Sequence, residues 1–390
     1  MDETHTSYVS YAGVYLSALR ANVRAIRGCV RGGAKLCVAV KADAYGHGAA
    51  AVSRALQDEG VDCLAVARVA EGAGLRDAGV TLPVLLLGLC GPGEVSDAVA
   101  CGLTPLVFDR TCIALFDSAA RAAGYGPGRR FPVHLAVDTG MGRIGCMPED
   151  AAGLAKAVAG SGALSLGGMA THFSVSDSVL PDDRAYTRRQ LDAFLYAADS
   201  VRGAGVSPGT LHCANSAAIL DFPESHLDMV RCGISAYGYY PGDISAEYLA
   251  RKGAAVRLEP CMSLCTRVAA VRDVRAGAEV SYGRTWRADR GTRIAVLPVG
   301  YADGVLRRFS PGLSVAINGK AYPVRGRICM DQCMVDIGSD DVPRWAEAVL
   351  FGPERSGALQ TAEDIAAASG TISYEITCGI SKRIPRVLLE

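Results

Sequence analysis

Lys41 stands where the apolar run containing Leu36, Val38 and Val40 gives way to the segment Ala42-Asp43-Ala44-Tyr45-Gly46-His47-Gly48. A primary amine at the end of a buried strand can add to a carbonyl and form an imine, and desolvation by those neighbours would lower its pKa toward that of a nucleophile. A solvated strand-end lysine is the plain alternative. Other polar residues recur at the ends of strand-like runs: Tyr45 with Lys41, Arg143 after 132–138, His172 closing 164–172, and Asn215 and Ser216 after 210–215. Arg231 differs, because it lies inside the apolar run 229–234, where a buried cation needs a specific partner. That placement marks a site.

The elements that must position these residues follow a simple alternation. Strand-like runs fall at 36–42, 63–67, 83–88, 104–108, 132–138, 164–172, 210–215 and 229–237, and amphipathic segments such as 49–59, 71–78, 112–123 and 184–202 separate them. Eight such alternations predict an α/β architecture, a (β/α)8 TIM barrel over residues 10–245, whose strand ends bring Lys41, Tyr45, Arg143, His172, Asn215 and Ser216 to one mouth. An open doubly wound sheet is disfavoured, since no Gly-x-Gly-x-x-Gly follows the first run. From about residue 246 the texture turns to short β runs at 263–271, 293–299, 313–317 and 348–351, so 246–390 reads as a mostly β C-terminal domain that residues 1–9 could join. Asn318-Gly319 marks a hairpin turn with Lys320 leaving its register open, and 361–369 is the clear helix there, capped by Thr361.

Composition narrows the function. At 390 residues the chain exceeds one hydrophobic core, and Lys+Arg and Asp+Glu balance at 40 each without a basic run, so neither nucleic acid nor an anionic membrane is an implied partner. The longest apolar run, near 82–90, is far shorter than the ~20 residues of a membrane span, and Met1-Asp2-Glu3-Thr4 has no signal-peptide character, which gives a cytoplasmic expectation. The 14 cysteines are scattered, and the close pairs Cys261/Cys265 and Cys329/Cys333 lack accompanying histidines, so no structural metal is expected.

Eight motifs carry a resemblance over nearly the whole chain: AVKADAYGHG at 39–48, DTGMGRIG at 138–145, THFS at 171–174, HCANSAA at 212–218, VRCGISAYG at 230–238, VSYGRTW at 280–286, VGYADG at 299–304 and GRICMDQ at 326–332. In this order they resemble the alanine racemases, fold-type III enzymes that use pyridoxal 5′-phosphate and interconvert L- and D-alanine for peptidoglycan. The resemblance implies that Lys41 carries the cofactor as an imine and, once released, acts as one base. Tyr45, Ser216 and the Gly233 and Ile234 N–H groups would hold the phosphate, a donor set that needs no lysine clamp. Arg231 would face the pyridine nitrogen, and because guanidinium keeps its protons that nitrogen stays unprotonated. His172 would link Arg231 to Tyr282, the base on the opposite face. The resemblance also implies a head-to-tail homodimer with shared active sites. In it, Tyr282, Tyr301, Met330 and Asp331 of one chain meet Lys41 of the other, while Arg143 and the Met330 N–H hold the substrate carboxylate. Without the resemblance, Ser216 reads as a helix cap, His172 as a barrel-mouth histidine and Tyr282 as a strand tyrosine.

Two positions depart from the family pattern. Many members have a carbamylated lysine seven residues before the equivalent of Arg143, and here that residue is Ala136, which leaves open whether another anion or a chloride neutralises Arg143. Lys382 is expected where a phosphate-contacting tyrosine often sits, so it could pair with the phosphate and alter the pocket wall enough to admit serine or other small amino acids. A fold-type III decarboxylase would carry cysteine instead of Tyr282 and an acid instead of Arg231. A lone-barrel cofactor carrier would lack the β domain, and a membrane-anchored serine racemase would carry a membrane segment.

Overall fold

Short runs rich in Val, Leu and Ala, buried along most of their length, form parallel strands because helices cover them on the outside. In the computed structural model, which describes residues 7–310 and 312–390, the first strand β1 is Tyr11–Tyr15. The barrel follows as β2 (Lys35–Ala39), β3 (Cys63–Val66), β4 (Val84–Leu86), β5 (Leu103–Val107), β6 (Phe131–Ala136), β7 (Leu164–Ala170), β8 (Thr210–His212) and β9 (Met229–Cys232). These eight pair in the order β8-β7-β6-β5-β4-β3-β2-β9, all parallel. Backbone bonds from Asp228 N–H to the Leu211 carbonyl (3.1 Å) and from Arg231 N–H to the Ala214 carbonyl (2.9 Å) bridge β8 to β9, so the barrel nearly closes. The expected eight-stranded TIM barrel is therefore present, with several strands shorter than read; the largest difference is at 229–237, which stops at Cys232, where Gly233 breaks the extended backbone and a 3-10 turn, Ile234–Tyr237, begins.

The C-terminal part is mostly β. Its strands are β10 (Met262–Arg267), β11 (Ala270–Val274), β12 (Glu279–Val280), β13 (Trp286–Arg287), β14 (Thr292–Leu297), β15 (Ser314–Ile317), β16 (Lys320–Pro323), β17 (Cys333–Gly338), β18 (Glu347–Phe351) and β19 (Arg386–Leu389). The run 263–271 divides between two sheets: β10 sits in the six-stranded order β16-β15-β18-β10-β1-β19, and β11 in the three-stranded order β11-β14-β17. β1 belongs to the six-stranded sheet too, paired with β10 and β19, so residues 11–15 lie outside the barrel whose start was read at residue 10. Asn318 and Gly319 both have positive φ, as a two-residue hairpin turn requires, and they set Ile317 opposite Lys320. Thr361 caps the helix Ala362–Ser369, and a second helix, Ser373–Cys378, follows.

That second helix fixes the barrel mouth. The Gly46 backbone, at φ 86°, passes so close to the Thr377 carbonyl that a Cβ would collide with it, and Arg386 donates through Nε to the Gly46 carbonyl at 2.9 Å. The same guanidinium is held by the Ile380, Ser381 and Ile384 carbonyls at 2.7 Å each. Gly46→Ala is expected to destabilise the fold by about 2 kcal/mol or more, measured as a lower urea midpoint. An unchanged midpoint would contradict this close approach.

Candidate active site

Directly after β2 the chain reverses hand. Ala42, Asp43, Ala44 and Tyr45 have φ between 51° and 56°, a left-handed turn built without glycine at a cost of about 1–2 kcal/mol per residue. The sequence predicts a glycine-rich turn here, yet Gly46 and Gly48 only close it. Hydrogen bonds hold the strained turn: Ala44 N–H to the Val40 carbonyl, Gly46 N–H to Ala42, Gly48 N–H to Asp43, Ala42 N–H to Glu71 Oε1 at 2.7 Å and Ala49 N–H to Asp43 Oδ1 at 2.7 Å. His47 Nδ1 lies 3.0 Å from both the Ala44 and Tyr45 carbonyls, and its buried Nε2 has no partner among the described residues. This turn aims Lys41 at the barrel mouth. Burial lowers the Lys41 pKa, and the positive charge of Arg143 lowers it further, which loosens the hold of the amine on its proton.

Tyr45 is buried at the end of the turn, stacked on Tyr237 at 4.9 Å, and its hydroxyl has no hydrogen-bond partner among the described residues. A Cβ on Gly233 would lie 2.9 Å from that hydroxyl and 3.6 Å from Ser216 Oγ, so glycine leaves a cradle between them. Ser216 Oγ accepts from Gly233 N–H at 2.8 Å, leaving the Ser216 proton and the Tyr45 hydroxyl for an incoming anion. The buried Ser235 Oγ nearby is also without a partner among the described residues. Tyr374, on the helix Ser373–Cys378, packs against Tyr45 with ring centres 5.8 Å apart. Lys382, by contrast, is exposed and has no ion pair among the described residues.

Arg231 is fully enclosed and held by acceptors that carry no formal charge. Nη1 donates to His212 Nδ1 (2.7 Å) and the His212 carbonyl (2.8 Å), and Nη2 to the carbonyls of Thr171 (2.7 Å) and Cys213 (3.3 Å), with His172 Nδ1 at 3.4 Å. Its Nε–H keeps no partner among the described residues. Arg143 rides on a loop that leaves the barrel after β6 and returns to it: Asp138 Oδ1 accepts from Gly140 and Gly142 N–H, and the Val137/Cys146 bridge closes the excursion. No carboxylate meets Arg143 among the described residues, and Ala136 below it is buried and apolar. Burial and the Arg231 charge push His172 down to about 3 and His134 to about 4, and burial alone dominates for His47, also near 4. Lys41, Arg143 and Arg231 are therefore the positive charges of a mouth suited to anions.

The remaining expected residues gather elsewhere. Tyr282, Met330 and Asp331 line a cleft of about 750 Å³ together with Ser281, Cys329 and other C-terminal residues, none of them from the barrel mouth. Tyr282 is 68% exposed, Met330 52% and Tyr301 41%. Ser281 (φ 69°) and Gly283 (φ 72°) present Tyr282 outward, pinned by Ser281 Oγ donating to the Arg327 carbonyl, while Asp331 pairs with Arg383 at 2.8 Å. One chain thus holds two separated halves of the predicted set. Sequence reasoning passed over Tyr374, His212, His134 and Cys378, the last a thiol beside Lys41 raised by burial. The only signal for His212 was its place in the 212–218 motif.

Two family models match: "Alanine racemase, N-terminal domain" over residues 14–241 and "Alanine racemase, C-terminal domain" over 261–388. The chain belongs to the alanine racemase family. The curated alanine racemase of Treponema pallidum is 44% identical over 381 residues, 97% of this chain and 98% of its own, and that of Treponema denticola 40% over 380 residues, 97% of each. Among solved structures, the alanine racemase of Clostridium difficile 630 superposes with a TM-score of 0.91 at 36% identity, covering 99% of this chain and 97% of that one. The enzyme from Streptomyces lavendulae gives 0.89 at 38%, covering 99% and 98%. Among the described residues no helix is long and apolar enough to cross a membrane, and no group of three metal-ligating side chains converges.

The buried imidazoles set a pH dependence. An exposed histidine titrates near ~6.5, so between about pH 6.5 and 4 the unfolded chain binds protons that His47, His134 and His172 refuse in the fold, and stability falls as pH drops through that window. The urea midpoint near pH 5 is expected below that near pH 7.5. A flat profile would mean these rings protonate within the fold.

Proposed function

We propose that this protein is an alanine racemase that uses pyridoxal 5′-phosphate bound at Lys41, interconverts L- and D-alanine, and supplies D-alanine for peptidoglycan in the cytoplasm. The observation that carries the reading is the left-handed turn that delivers a desolvated Lys41 and the unpartnered Tyr45 hydroxyl to one mouth, opposite the Ser216/Gly233 cradle. These residues fit the cofactor: the cradle offers hydroxyl donors and the space of a missing Cβ for a phosphate, with Ile234 N–H beside it and Tyr374 closing over it. When bound, the cofactor supplies an electron sink that acidifies the Cα–H of an attached amino acid. The free Nε–H of Arg231 would hold the ring nitrogen, and a guanidinium there donates a hydrogen bond without surrendering its proton. Lys41 takes or returns the α-proton on one face through Nζ, and Arg143 pairs with the substrate carboxylate.

Inversion requires a second base on the other face, and Tyr282, which the resemblance assigns to it, lines a cleft that holds no residue of the barrel mouth of its own chain. We therefore read the protein as a head-to-tail homodimer in which the partner subunit's Tyr282 reaches the mouth beside His172, the partner's Tyr301 and the partner's Asp331 wall the substrate, and the partner subunit's Met330 offers its N–H to the carboxylate. The exposure of Tyr282 and Met330 on a cleft of the C-terminal domain, and that of Tyr301, support that reading. Arg231 in place of an acid and Tyr282 in place of a cysteine count against a decarboxylase. The match to alanine racemases favours alanine over serine as the substrate.

Purified protein is expected to absorb near ~420 nm, to lose that band on borohydride reduction, and to racemise L-alanine in a chiral assay. Lys41→Ala should abolish both signals, and a Lys41→Ala variant that still racemises alanine at the parental rate would end the proposal. Lys41→Ala and Tyr282→Phe chains, each inactive alone, should regain about a quarter of the activity when dissociated and reassociated together, because one site in each mixed dimer is intact. No recovery from a verified mixed dimer would refute the shared site.

A further inference from the structure

Behind Arg231 the hydrogen bonds continue into the barrel. A guanidinium has only donors, so His212 Nδ1, 2.7 Å from Nη1, must be unprotonated and the His212 proton must sit on Nε2. Nε2 lies 2.8 Å from His134 Nδ1, which accepts that proton's hydrogen bond and places the His134 proton on its own Nε2. The chain from Arg231 to His212 to His134 therefore has one polarity. The barrel is shaped around it. The β6/β7 register shifts at Val133/His134, and β7 carries Gly167 and Gly168 against the ring, where a Cβ on Gly168 would lie 2.8 Å from His134 Cε1.

We propose that His134 is a positioning residue of the racemase: by accepting from His212 Nε2–H it locks the His212 tautomer that accepts from Arg231, and so fixes the direction in which Arg231 presents its Nε–H. This inference rests on the proposed role of Arg231 toward the cofactor ring. An isolated neutral imidazole exchanges its proton between nitrogens readily, whereas here the wrong tautomer would set two donors against each other inside a buried site. Asn at 134 can still place an amide oxygen where Nδ1 accepts, and Leu cannot.

The test uses the cofactor-loaded enzyme with 15N-labelled histidine. The wild type should show His212 protonated at Nε2 alone. His134→Leu should lose that single tautomer and lower kcat for alanine by about tenfold with KM within about twofold, and His134→Asn should restore most of both. A His212 proton on Nδ1 in the wild type, or a folded His134→Leu enzyme with unchanged tautomer and kcat, would overturn the proposal. Should His134→Leu fail to fold, the wild-type tautomer and the kcat of His134→Asn against His134→Asp decide it: equal rates overturn it, and a loss confined to the aspartate, whose charge would draw a proton onto His212, supports it. If the wild type does not racemise alanine, the functional reading fails, while the His212 spectrum still reports on the relay.

Discussion

The site depends on four residues of left-handed backbone. Ala42 to Tyr45 cost together about 4–8 kcal/mol relative to a right-handed turn, and no side chain among them prefers the conformation. The turn persists because its surroundings over-determine it: Glu71 and Asp43 satisfy its exposed N–H groups, His47 holds two of its carbonyls, and Arg386 ties Gly46 to the C-terminal segment. A right-handed continuation would point Lys41 and Tyr45 in other directions and separate the amine from the cradle. The strain is the means by which one strand end delivers an amine and a hydroxyl to the same cavity.

Around that turn the electrostatics are one-sided. Lys41, Arg143 and Arg231 face the mouth, the nearby Glu71 is committed to backbone N–H groups, and Arg231 is solvated by carbonyls and a neutral imidazole. Burying a guanidinium without a counter-ion is tolerable because those dipoles replace its water shell. The excess positive charge is what an anionic ligand would balance. The C-terminal domain then acts twice, once within the chain by laying Tyr374 and Cys378 over the mouth, and once outward through the cleft that bears Tyr282.

Some of this was legible in the residue order because it is local. Eight apolar runs separated by amphipathic ones announce a barrel, and Asn318-Gly319 announces its hairpin, since a period or a positive φ is a property of a few neighbouring residues. Lys41 and Arg231 stood out as polar groups at the end of and inside apolar runs. β1 escaped because Tyr11–Tyr15 is a strand only through β10 and β19, some 250 and 370 residues away. Tyr374 escaped because a tyrosine in a short C-terminal helix becomes part of a cradle only where that helix leans on Tyr45.

The sequence by itself determined which chemistry is available: a strand-end amine, a buried guanidinium, hydroxyl and glycine groups for a phosphate, and a fold able to bring strand ends together, all of them consequences of residue type and short-range order. Tertiary structure alone decided the handedness of the turn after Lys41, the set of acceptors that keeps Arg231 charged in the interior, the tautomer chain through His212 to His134, and the separation of Tyr282 from the mouth of its own chain. Those depend on groups tens to hundreds of residues apart meeting within hydrogen-bond distance, and no local pattern encodes such a meeting.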